Sequence, residues 1–79
     1  MMLEVQIITP DNTLFEGKVN TITLPGSMGS FQILNGHAPL ISSLSQGVIE
    51  IKDENNQNQS FAISGGIAEV LNNKVVVLV

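Results

Sequence analysis

The chain has 79 residues, 43% hydrophobic and only 13% charged, enough for one small domain over residues 1–79. Three lysines, no arginine and seven carboxylates give a net charge of −4, which excludes a phosphate-neutralising nucleic-acid surface and disfavours an anionic membrane surface. The absence of cysteine excludes a disulfide scaffold and a thiolate metal site, and no apolar run approaches the ~20 residues that span a bilayer.

Leu3 to Ile7 alternates apolar and polar residues, the period of a half-buried strand. Met1-Met2-Leu3-Glu4 before and into it carries neither the basic segment nor the long apolar run of a secretion signal. Pro10-Asp11-Asn12 reads as a turn, because Pro presets φ and Asp and Asn bond to nearby backbone. Leu14 to Leu24 reads as a second, antiparallel strand whose parity slips. Phe15, Gly17 and Val19 share one face, whereas Ile22 and Leu24 fall on the other, so a bulge or a change of sheet is expected near Asn20-Thr21.

Leu24 to Leu40, LPGSMGSFQILNGHAPL, is the densest punctuation in the chain. Pro25 to Gly29 is a loop, Ser30 to Leu34 a short strand, and Asn35 to Pro39 a turn opened by an Asn-Gly pair. Strands follow at Leu40–Leu44 and Val48–Lys52, the second placing Ile49 and Ile51 on one face. Asp53 to Gln59 has no apolar residue and is expected to be a solvated, loosely constrained hairpin tip. Ser60 to Ser64 returns as a strand, and Gly65-Gly66 permits a tight bend or close backbone approach. Ile67–Leu71 and Lys74–Val79 complete the set, joined by Asn72-Asn73, residues that tolerate the left-handed region of a two-residue hairpin turn. Val75 to Val79 is apolar on both faces, so this strand either lies centrally in a closed sandwich or presents its outer face to another subunit. Short strands with turns between them and no helical period indicate an all-β sandwich or barrel.

Chemistry is sparse. One histidine without cysteine cannot build a structural zinc site. No phosphate-binding loop or nucleophile elbow is present, and Gly26-Ser27-Met28-Gly29 has no helix after it to aim at a phosphate. Glu4, Glu16, Glu50 and Glu69 read as ordinary polar-face residues. His37 lacks a neighbouring base, nucleophile or second metal ligand, which leaves a turn residue or a contact residue. Residues alone thus lead to a small acidic β-module that binds a partner, with neither a cofactor nor enzymatic activity expected. A free-standing adaptor or ligand-binding module is one form of that reading.

The motifs go further. LPGSMGSFQILNGHAPL, then Gln46-Gly47-Val48-Ile49-Glu50-Ile51 and Ser64-Gly65-Gly66-Ile67-Ala68-Glu69-Val70, resemble the epsilon subunit of F-type ATP synthases. Phe15-Glu16-Gly17 and Asn73-Lys74-Val75-Val76-Val77-Leu78 extend the resemblance over nearly the whole chain. It implies a flattened antiparallel β-sandwich of about ten short strands. It further implies a non-catalytic central-stalk subunit that couples ion-driven c-ring rotation to the gamma subunit and ATP synthesis. Such a subunit sits peripherally on the cytoplasmic face of the bacterial inner membrane, without inserting into it. By the same resemblance, Pro25, Gly26, Ser27, Met28, Gly29, Ser30, Phe31, Gln32 and the nearby His37 face the c-ring. Thr9, Pro10, Ala38, Pro39, Leu40, Ile41 and Ser42 face gamma. Two departures shape the expectation. Many members are acidic where this chain has Ser30, so docking there leans on shape and neutral hydrogen bonds. Most bacterial members also continue into a C-terminal helical hairpin; none is expected here, nor ATP binding by it.

Overall fold

Alternation of side chains dictates the architecture. The computed structural model describes residues 2–79, and its regular elements are all strands. β1 (Leu3–Ile8) buries Leu3, Val5 and Ile7 and turns Glu4, Gln6 and Ile8 outwards. β2 (Thr13–Gly26) pairs antiparallel with β1 through its first half, Leu3 opposite Val19 and Ile7 opposite Phe15. Its second half pairs with β5 (Gly47–Asp53) and with β3 (Gly29–Leu34). The register on β5 shifts between Val19 and Thr21, the expected bulge. Asn20 turns that bulge into an attachment, donating from Nδ2 to the Asp53 carbonyl at 3.0 Å.

Two layers follow from this one bent strand. The first runs from the N-terminal half of β2 through β1, β8 (Lys74–Leu78) and β7 (Gly66–Leu71) to β4 (Leu40–Leu44). The second runs from β6 (Asn58–Ile63) through β5 and the C-terminal half of β2 to β3. All pairs are antiparallel except β1 with β8, which are far apart in sequence and free of a hairpin's constraint. The strand count is eight, where the resemblance implies about ten, since β2 serves both layers without a break.

The core between the layers is wholly apolar among the described residues. Ile22, Leu24, Ile33, Ile49 and Ile51 from one side meet Leu3, Ile7, Val70, Val75 and Val77 from the other. Phe15 and Phe61, half-buried, close the side where β6 faces the first half of β2, their ring centroids 6.0 Å apart and tilted by 56°. Phe61→Ala should therefore cost about 2 kcal/mol, less than a fully buried phenylalanine. A urea titration with an unchanged slope and a lowered midpoint would show it.

The Asp53–Asn58 turn is more constrained than its polar composition suggests. Asp53 Oδ1 accepts from the amides of Asn55 at 2.9 Å and Gln57 at 3.0 Å, and Asn56 sits at φ +61°. Asn72 and Asn73 both take positive φ, +52° and +62°, as a two-residue hairpin turn requires.

Candidate docking surfaces

The β2–β3 hairpin forms a braced tip. Gly26 and Gly29 pair across it, leaving Ser27 and Met28 as the turn. Gly26 is buried, and a Cβ there would stand 2.6 Å from the Gly29 carbonyl oxygen and 2.7 Å from the Phe31 ring. Phe31 packs on the core and Ile33 lies within it. Hydrogen bonds fix the tip to the chain around β4. The Ser27 amide donates to the Ser43 carbonyl at 3.0 Å, the Ser43 hydroxyl to Ser27 Oγ at 3.0 Å, and the Ser45 amide to the Pro25 carbonyl at 2.8 Å. Pro25 is half-buried against Gly47. Of the c-ring candidates, then, Gly26 and Phe31 shape the tip from within, whereas Ser27, Met28, Gly29, Ser30 and Gln32 are exposed. Met28 is fully exposed, a flexible apolar side chain on a rigid frame.

His37 is not at this tip. It follows the far end of β3, and the six residues of that strand separate the two by roughly 20 Å at about 3.3 Å per residue. Its amide donates to the Leu34 carbonyl at 3.2 Å, and its ring Nδ1 lies 2.8 Å from the Ala38 carbonyl oxygen. Its neighbours are thus Ala38 and Pro39, which belong to the gamma group.

The gamma candidates are likewise spread out. Thr9 and Pro10 form the β1–β2 turn, where the Thr9 amide donates to the Asn12 carbonyl at 2.8 Å and the Asn12 amide to Thr9 Oγ1 at 2.9 Å. Ala38 and Pro39 enter β4 at the opposite end of the first layer, with β7 and β8 between. Leu40 packs inwards on the core, Ser42 is half-buried with its hydroxyl donating to the Ser43 carbonyl, and Ile41 points out.

What joins these positions is the outer face of the first layer. Register places Ser43, Ile67, Leu78 and Ile8 in one row, and Ile41, Glu69, Val76 and Gln6 in the next. Ile41 is 67% exposed, Leu71 52%, Leu78 50% and Ile67 43%. Ile41, Ile67, Val76 and Leu78, with Glu69, line a depression of about 190 Å³. Towards β2 the face becomes charged, with Glu4 between Lys18 on β2 and Lys74 on β8. The outer face of the second layer differs, its central rows being Gln32, Thr23, Glu50 and Ser60, then Leu34, Thr21, Lys52 and Asn58, with Leu34 and Val48 its exposed large apolar side chains. Ile67, Leu71, Val76 and Leu78 join this face through strand register, not through any motif of their own. The two-sided apolar run Val75–Val79 signals Val76 and Leu78 alone; Ile67 and Leu71 carry no such signal.

Among the described residues no three His, Asp or Glu side chains converge as a metal site would require. One apolar sheet face and one braced, exposed tip are the two surface features that the fold sets apart. Residues 2–79 match the family described as ATP synthase, Delta/Epsilon chain, beta-sandwich domain, and the chain belongs to that family. It is 41% identical over 80 residues to the ATP synthase epsilon chain of Nostoc punctiforme, covering 100% of this chain and 58% of that one. With the ATP synthase epsilon chain of Campylobacter jejuni it shares 42% identity over 77 residues, 98% of this chain and 60% of the relative. The chain thus spans somewhat over half the length of these relatives. Its fold matches a chain in the Euglena gracilis mitochondrial ATP synthase OSCP/F1/c-ring structure with a TM-score of 0.92 at 24% identity, over 98% of this chain and 49% of that one. A chain in the Tetrahymena thermophila mitochondrial ATP synthase central stalk/c-ring structure matches with a TM-score of 0.78 at 24% identity, over 99% and 63%.

Proposed function

We propose that this domain belongs to a non-catalytic central-stalk subunit of an F-type ATP synthase, where it joins the gamma subunit to the c-ring on the cytoplasmic side of the bacterial inner membrane. The observation that carries the reading is the asymmetry of its two faces. Ile41, Ile67, Leu71 and Leu78 cluster on one sheet face, whereas the other carries Leu34 and Val48 apart from each other around a centre of Thr21, Thr23, Glu50 and Lys52. A contiguous exposed apolar patch on a small domain marks a partner site. Gamma takes this apolar face, and the charged row of Lys18, Glu4 and Lys74 beside it sets orientation more than affinity.

The Ser27–Ser30 tip meets polar loops of the c-ring. Ser30 offers a hydroxyl and no charge, so that contact is one of shape and neutral hydrogen bonds, with Met28 adapting to the partner. His37, by its place beside Ala38 and Pro39, serves the gamma side. Transmitting torque between two such sites requires stiffness, which a close-packed sandwich core supplies. The names of the relatives and of the complexes holding the structural neighbours support the assignment to the synthase.

Calorimetric titration of the purified chain with purified gamma subunit tests the reading. Binding at micromolar concentration or tighter is expected, and its absence there would sink the proposal.

A further inference from the structure

We propose that Asn73 is a positioning residue, holding the Asn35–Pro39 loop so that Pro39 stands at the rim of the apolar face. The inference rests on the docking reading above. One asparagine ties together three parts of the chain. Its Oδ1 accepts from the Gly36 amide at 2.7 Å, its Nδ2 donates to Asn35 Oδ1 at 2.6 Å, and its own carbonyl accepts from the Glu4 amide at 2.9 Å. The β7–β8 turn is thereby fastened both to the start of β1 and to the loop that feeds β4.

The loop has little else to hold it. Residues 37–39 lie outside any strand, Pro39 has no amide proton, and the His37 amide reaches the Leu34 carbonyl at a long 3.2 Å. Gly36 sits at φ +84° with open space where a Cβ would be, so nothing packs the loop at that point. Pro39, Leu40, Ile41, Val70 and Leu71, with Glu69, line a depression of about 360 Å³ that adjoins the apolar face. Movement of the loop would therefore change the shape of the docking surface itself. A flexible contact loop must be ordered on binding, and pre-ordering it removes that cost.

The turn alone does not call for this side chain. At the second position of a two-residue turn with both φ positive, glycine is the favoured residue. Asn73→Gly therefore keeps the turn while deleting the clamp. Asn73→Asp keeps an acceptor for the Gly36 amide and tolerates the same backbone, while losing the donor to Asn35.

Amide hydrogen exchange and gamma titration, on the full chain, separate the outcomes. In Asn73→Gly the Gly36 amide should exchange about tenfold faster or more, with the midpoint of thermal unfolding shifted by only a few degrees. Asn73→Asp should restore slow exchange at Gly36. Affinity of Asn73→Gly for gamma should fall about three- to tenfold through lost pre-ordering. Unchanged exchange in Asn73→Gly, or fast exchange in Asn73→Asp, overturns the clamp. Faster exchange with unaltered affinity overturns the positioning role and leaves the docking reading intact. A wild-type chain that fails to bind gamma removes the docking reading, and the positioning role with it.

Discussion

Gly66→Ala is expected to destabilise the domain by about 3 kcal/mol, combining backbone strain of ~1–3 kcal/mol with the loss of a ladder hydrogen bond. Gly66 lies at φ +155°, which residues with a Cβ rarely adopt. It is also the point where β7 begins against the end of β8, and a Cβ there would collide with the Leu78 carbonyl oxygen. No rotamer relieves a clash between a Cβ and backbone, so the Ile67–Leu78 pairing must open. A domain of this length holds only about 4–12 kcal/mol in reserve. The thermal midpoint should fall by roughly 12–24 °C, at about 4–8 °C per kcal/mol. Gly65→Ala provides the comparison. Its φ of +151° carries similar strain, but the nearest atom to its Cβ position is the Leu44 carbonyl oxygen at 3.3 Å. The effect at Gly65 should be clearly smaller. Equal losses at the two glycines would show that strain alone matters and that close approach of the strands does not.

Both glycines illustrate what the sequence makes legible. A Gly-Gly pair between two apolar segments announces a bend or a close approach, but not which backbone comes near; the Leu78 carbonyl is twelve residues ahead of Gly66 in the chain and reaches it only through the β7–β8 hairpin. The bulge in β2 was readable for a local reason. When Val19 and Ile22 both point inwards, a period of two has been broken between them, and only a bulge or a sheet change allows it. The Asn72-Asn73 turn is equally local, since both residues are ones that accept positive φ.

The docking surfaces were less legible because they depend on register between distant strands. Alternation reveals that Ile41, Ile67 and Leu78 face away from the core. It does not reveal that they lie on the same side of the sandwich as one another and opposite Thr23 and Glu50. That follows from β4 pairing with β7 and β7 with β8. Nearness in sequence is likewise not nearness in space between Met28 and His37. His37 stands nine residues after Met28, yet the chain spends six of them in β3, travelling away from the tip.

Ile41→Lys should weaken binding to gamma by about thirtyfold or more, since the apolar contact is lost and a charge is desolvated in an aliphatic interface. The lysine is chosen so that the free domain keeps its fold. Ile41 is already two-thirds exposed at 67%, and its register partner across β4–β7 is Glu69. A cross-strand Lys–Glu pair is neutral to mildly stabilising, so unfolding should be little altered. Once gamma covers the face, the ammonium and its Glu69 partner lose water together amid the aliphatic surface of Ile67, Val76 and Leu78, and that desolvation outweighs their mutual attraction. Two further variants identify the cause. Ile41→Ala, which removes contact without adding charge, should lose less, about five- to thirtyfold. Thr23→Lys, on the polar face of the other layer beside Glu50, should leave gamma binding unchanged. If Thr23→Lys weakens binding as much as Ile41→Lys, the added charge acts at a distance on a partner of like sign, and the apolar face loses its claim. If neither matters, gamma docks elsewhere on the domain.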